Sequence, residues 1–166
     1  MIDGQEDSGR DDSGRDGADG GGPSEARRAE VARVVETATR WARGHEAVAA
    51  ALLAGSWARG AARADSDVDL LFLTADPAVP DFSGLVAACG FSGPPLRVAR
   101  WGPVVEHRFR APGGTEVEVN LGPLSWAATD PVDAGTRRVV TDGCRILHDP
   151  DGLLAALLRA CAPARP

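Results

Sequence analysis

The chain contains no lysine and no tyrosine, and all 18 of its basic residues are arginine. A phosphate-binding loop of the GxxxxGK(S/T) type needs its lysine, so that class of nucleotide site is excluded. Cysteine is scarce: Cys89, Cys144 and Cys161 are odd in number, widely spaced and without a CxxC pair. They read as buried free thiols rather than a disulfide framework. No stretch approaches the roughly 18 consecutive apolar residues of a membrane span. The N-terminus has neither the basic nor the apolar region of a signal peptide, and the expectation is a soluble, cytoplasmic protein that does not engage membranes. Positive charge is also in deficit, with a net charge of −6. Residues 1–23 carry seven acids against two arginines, −5 of that total, which leaves −1 for the rest. A nearly neutral body lacks the broad basic footprint that duplex DNA requires, although a local arginine cluster remains compatible with it.

What is present divides the 166 residues in two. Residues 1–23, with "DSGRD" at 7–11 and again at 12–16, hold almost nothing apolar to bury and read as a disordered acidic tail. Residues 24–166 suit one domain. "SEARRAEVARVVETATRWARG" places Val31, Val34, Val35, Ala38, Trp41 and Ala42 at helical spacing, with Ser24 as N-cap and Gly44 as the stop. "AVAAALLAG" (47–55) and "DVDLLFLT" (67–74) are continuous apolar runs of strand length, with room for one or two helical turns at 57–64. A short helix over 81–89 follows, then "LRVARWG" and two alternating runs joined at Pro112-Gly113-Gly114, a hairpin signal. A helix from about Asp133, a short strand "CRILHD" and a closing helix with proline at its start complete the order.

The charges between the two apolar runs carry the chemistry. On a strand, Asp67 and Asp69 leave the same face about 6.5–7 Å apart, while Val68 and Leu70 point into the core. Two such carboxylates at the start of a buried strand repel each other and lose solvation, a cost that a divalent cation offsets. Magnesium prefers oxygen ligands of this kind and completes its shell with substrate phosphates. Gly55-Ser56 closes the preceding strand, where a glycine lets backbone approach closely and the following residues open a helix, an arrangement that suits an anion. A third acid comes from the hairpin: in "TEVEVNLG", Glu116, Glu118 and Asn120 share the polar face, and either glutamate could join the aspartates. Such a set can clamp the attacking and leaving oxygens of an in-line phosphoryl displacement. His45, His107 and His148 show no ligand spacing, and Trp57 reads as core or as a base-stacking residue.

"LLAGSWARGAARADSDVDLLF" resembles the signature of the DNA polymerase β-like nucleotidyltransferase superfamily: an apolar strand, Gly-Ser, ten residues, Asp-x-Asp, and a third acid on a later strand. The "GSxARG…SDVDL" form is similar to small bacterial members, both aminoglycoside nucleotidyltransferases and antitoxin-type proteins. The resemblance implies an α/β (α+β) nucleotidyltransferase fold, a mixed sheet with helices mainly on one face. It implies metal-dependent transfer of a nucleoside monophosphate from a nucleoside triphosphate, ATP by expectation, to a hydroxyl, with release of pyrophosphate. Gly55, Ser56 and Arg59 would then contact the nucleotide. Asp67 and Asp69 would ligate two Mg2+ ions, with Glu118 completing the catalytic triad and Glu116 as the alternative third acid. Glu118 is preferred because Glu116 lies two residues from the Gly113-Gly114 turn, where the hairpin is expected to run past the sheet. The acceptor stays open among a small molecule, a protein side chain and an RNA end. A homodimer or a helical partner protein is compatible with it. The rival readings are an antitoxin-type protein that modifies or masks that helical partner and a catalytically silent nucleotide-binding module.

Overall fold

A computed structural model describes residues 21–76 and 81–163. The acidic stretch read from the sequence as a disordered tail lies, over residues 1–20, outside the described residues; of its last three, Gly21 accepts a hydrogen bond from the Ala64 N–H and Pro23 is buried.

Helix α1 runs Glu25–Arg43, opened by the Ser24 hydroxyl accepting from the Arg27 N–H and closed at Gly44. Strand β1 (Val48–Ala54) leads directly into a single helical turn, α2 (Gly55–Ala58), and β2 (Val68–Thr74) follows. After α3 (Ser83–Ala88) come β3 (Arg97–Trp101), β4 (Val104–Arg110) and β5 (Glu116–Pro123). A 3-10 turn at Leu124–Ala127, α4 (Ala134–Asp142), β6 (Cys144–His148) and α5 (Leu153–Cys161) finish the chain. Asp133 caps α4, accepting from the N–H groups of Gly135 and Thr136. At α5 the expected proline start is displaced. Asp149 reaches over to accept from the N–H groups of Leu154 and Ala155, so the helix begins three residues after Pro150.

The six strands form one mixed sheet in the order β3-β4-β5-β2-β1-β6. β2 and β5 are parallel, and the other neighbours are antiparallel. Alternation along the central strands creates two cores. Val68, Leu70, Phe72, Val117, Val119 and Phe109 face α1 and α3. Leu52, Leu71 and Leu73 face the other way, against Ala127, Leu154 and Leu157. The mixed sheet and the α+β class are those the sequence implies, but helices cover both faces rather than mainly one. On the second face α4 meets β1 and β6, and α5 packs beside it over Leu52, Leu71 and Leu73. Beyond Leu71 and Leu73, that face carries the charged side chains of β4, β5 and the start of β2.

One buried acid ties the hairpin to the helical layer. Glu30, on α1, is 6% exposed and accepts from the Gly113 N–H, the Thr115 hydroxyl and, at 3.4 Å, the Thr115 N–H. Burial pushes its carboxyl up, but these donors and the nearby Arg27 outweigh burial and hold it below the ordinary value. Glutamine in its place would turn an amide NH2 towards donors. Hydrogen bonds to a charged group contribute about 1.5–3 kcal/mol, so Glu30→Gln is expected to lower stability by about 2 kcal/mol in urea denaturation at neutral pH. A depressed folded pKa gives stability that is complete above the unfolded value and is lost as pH falls, so the difference should shrink below about pH 4. An equal difference at both pH values would show that the carboxylate charge is not what ties the turn.

Candidate active site

The charged residues converge on the second sheet face, at the start of β2 and along β4 and β5. Asp69 on β2 is the lateral partner of Glu118 on β5, and Ala54, the last residue of β1, pairs with Asp69 from the other side. One carboxylate oxygen from each of Asp67, Asp69 and Glu118 lies within 4.8 Å of the others. Burial pushes the Asp69 carboxyl up to about 6; the Asp67 charge adds to the rise, and Arg108 opposes it. Three half-buried carboxylates with oxygen-only donors are the ligand chemistry of magnesium or manganese. The strain on Asp69 is what a divalent cation would relieve. The residues present therefore fit a metal.

Gly55 is the residue this geometry cannot exchange. Its φ is +72°, and a Cβ built there would stand 2.6 Å from Asp69 Oδ2. A side chain would thus both strain the backbone and strike the carboxylate. The Gly55 N–H donates to the Gly143 carbonyl at 3.0 Å, which anchors the α2 turn to the end of α4. Ser56 follows as the second residue of that turn. Arg59 stands just beyond it, with its guanidinium 2.7 Å from Asp142 Oδ2 rather than on the carboxylates. Trp57 packs against the α1-side core and donates to the Ser66 carbonyl. Glu116 turns to Arg110 at 2.7 Å and Arg108 at 3.0 Å, which hold its carboxyl below the ordinary value.

Two site residues escaped the sequence reading, Glu106 and Arg108, both on β4. Arg108 is the cross-strand partner of Glu118 and donates to its carboxylate. Glu106 is buried, accepting from Arg97 Nε at 3.0 Å and from the Trp101 indole N–H at 2.6 Å. Burial would raise its carboxyl, yet the donors Arg97 and Trp101, with the Arg108 charge, bring it below the ordinary value. The signal was in the hairpin: "EHRFR" alternates, and folding it back about Gly113-Gly114 sets Glu106, Arg108 and Arg110 on the face of Glu116, Glu118 and Asn120.

Trp101 lines a cavity of about 740 Å³ beside the carboxylates. Asp69, Glu118, Asn120, Trp126 and Val139 line it too. Glu106 thus fixes the orientation of an indole that is 60% exposed.

Residues 34–98 match the family model of the nucleotidyltransferase domain. No curated protein is similar enough in sequence to match. Among solved structures, Cid1 in complex with the UTP analogue UMPNPP is 18% identical with a TM-score of 0.46, over 72% of this chain and 35% of that one. A cytoplasmic RNA terminal U-transferase is 23% identical with a TM-score of 0.42, over 61% of this chain and 30% of that one. A further structure of the Cid1 poly(U) polymerase is 20% identical with a TM-score of 0.41, over 70% of this chain and 36% of that one. The chain spans about a third of the length of these structures. The matched segment contains the Gly55-Ser56 turn and the Asp67–Asp69 pair, so the similarity to the nucleotidyltransferase domain falls on residues that build this site.

Proposed function

We propose that this protein is a nucleotidyltransferase that moves a nucleoside monophosphate from ATP to a hydroxyl acceptor, using divalent ions held by Asp67, Asp69 and Glu118, and releases pyrophosphate. The observation that carries the reading is the convergence of those three carboxylates within 4.8 Å beside the Gly55 turn. Divalent ions bound there would neutralise the triphosphate and polarise the α-phosphate for attack. Gly55 and Ser56 line the turn on which the triphosphate rests, and Arg59 exchanges Asp142 for a phosphate oxygen at its rim. Glu118 takes the proton of the acceptor hydroxyl. The acceptor oxygen then bonds to the α-phosphorus, the bond from that phosphorus to the bridging oxygen breaks, and its electron pair leaves with pyrophosphate. The cavity lined by Glu118, Trp101 and Trp126 gives the acceptor room next to its base.

The reading is tested by incubating the protein with Mg2+, each labelled nucleoside triphosphate in turn and a panel of hydroxyl compounds, proteins and RNAs. Labelled acceptor and stoichiometric pyrophosphate are expected, with ATP the preferred donor. Nucleotide binding without pyrophosphate from any pair would instead make the domain a silent binding module.

A further inference from the structure

Arg108 occupies the point at which the carboxylates meet. Its Nη2 donates to Glu118 and lies 3.5 Å from Asp67 Oδ2. Its Nη1 donates to Glu116 Oε2 at 3.0 Å, and its buried Nε, without a hydrogen bond of its own, is 3.5 Å from Glu106 Oε1. A single guanidinium therefore faces four carboxylates, with only 22% of its side chain exposed. Backbone pairing puts it there: Arg108 is opposite Glu118, and Glu118 is level with Asp69.

The charges show what this does. Asp67, Asp69, Glu106, Glu116 and Glu118 face Arg97, Arg108 and Arg110, a residue of −2 that one divalent ion balances. Arg108 already holds one oxygen of each of Asp67 and Glu118, Oδ2 and Oε1. Arg108 can vacate this corner only by moving its side chain.

We propose that Arg108 is the resident cation of the Asp67–Glu118 corner and competes with a divalent ion for it. Without nucleotide the protein takes up one ion through Asp67 and Asp69, and a second enters only as Arg108 swings out. This rests on the reading of Asp67, Asp69 and Glu118 as the metal site. Arg108 is on this view a positioning residue. It keeps Glu118 beside the aspartates while the corner holds no ion, and its planar fork matches phosphate oxygens, so a bound triphosphate is the partner that draws it away.

The test is a Mn2+ titration without nucleotide, followed by electron paramagnetic resonance. It compares the wild type with Arg108→Gln, Arg108→Lys and Arg110→Gln, with circular dichroism to monitor the fold. Wild type should bind one ion per chain tightly. Arg108→Gln should bind a second at least about tenfold more tightly than wild type does, because a competing cation has gone. Arg108→Lys, which keeps the charge but cannot bridge two carboxylates, should fall between them. Arg110→Gln removes the same charge one register pair away and should behave as wild type. Equal uptake by wild type and Arg108→Gln overturns the proposal, as does the same gain in Arg110→Gln, which would assign the effect to general electrostatics. Failure of every form to bind Mn2+ would remove the metal-site reading as well. Should Arg108→Gln not fold, Mg2+ can be titrated into wild type while the Arg108 guanidinium Nε–H resonance is followed, assigned by its loss in Arg108→Lys. A saturable shift supports displacement, and an unmoved resonance overturns it.

Discussion

Asp67→Asn and Asp69→Asn are each expected to abolish nucleotidyl transfer while leaving the fold intact. The first half follows from ligand chemistry. The amide keeps the shape but supplies a neutral oxygen where a divalent cation needs a charged one, and metal stabilisation of a phosphoryl-transfer transition state amounts to several kcal/mol. At about 1.4 kcal/mol per decade, a fall of at least about a thousandfold in kcat is expected. The second half follows from packing. Asp69 is desolvated beside Asp67, and its carboxyl is pushed up to about 6. An amide there relieves a repulsion and, among the described residues, removes no hydrogen bond, so the metal-free Asp69→Asn protein should melt no lower than wild type. Steady-state assays with and without chelator, together with thermal melts, measure both halves. Activity persisting in both variants, or undiminished in chelator, would sink the metal-dependent reading.

How much of this was legible beforehand depends on how far apart the cooperating residues lie in sequence. Gly55-Ser56 and Asp67-x-Asp69 are local, and period-two alternation is enough to put both aspartates on one face. The structure then shows why Gly55 is glycine, since the Asp69 carboxylate occupies the space of its side chain. Glu30 illustrates the opposite case. An acid within an amphipathic helix reads as solvent-facing, and it is buried only because a turn 83 residues later brings N–H and hydroxyl donors to it. Arg108 failed for a related reason. A lone arginine in an alternating strand looks solvated until two registers are combined, β4 against β5 and β5 against β2. Helix coverage of both sheet faces was likewise unreadable, because α4 and α5 are nine residues each and a stripe that narrow does not say which side of a sheet it meets.

Glu118→Gln is expected to reduce turnover at least about a hundredfold, whereas Glu116→Gln should stay within a few-fold of wild type. Both glutamates share the polar face of β5, so composition and periodicity cannot separate them; the parallel pairing of β2 with β5 does. It sets Glu118 level with Asp69 and groups its carboxylate with both aspartates, while Glu116 falls one pair nearer the turn. Surroundings reinforce the distinction. Glu118 is flanked by the fully buried Val117 and Val119 and lines the cavity that Trp101 and Trp126 also line. Glu116 is bound by Arg110 at 2.7 Å and by Arg108 at 3.0 Å, a pair of donors that keeps its carboxylate ionised and occupied. Loss of a proton acceptor alone costs about 10²–10⁴-fold, and loss of a shared metal ligand adds to it. In Glu116→Gln the amide oxygen can still accept from one arginine, and Arg108 retains Glu118, Asp67 and Glu106 as partners, so the triad keeps its geometry. The two variants should therefore separate in kcat by more than an order of magnitude at saturating nucleotide. The reverse pattern would assign the third carboxylate to Glu116 and require Arg108 and Arg110 to release it before each turnover.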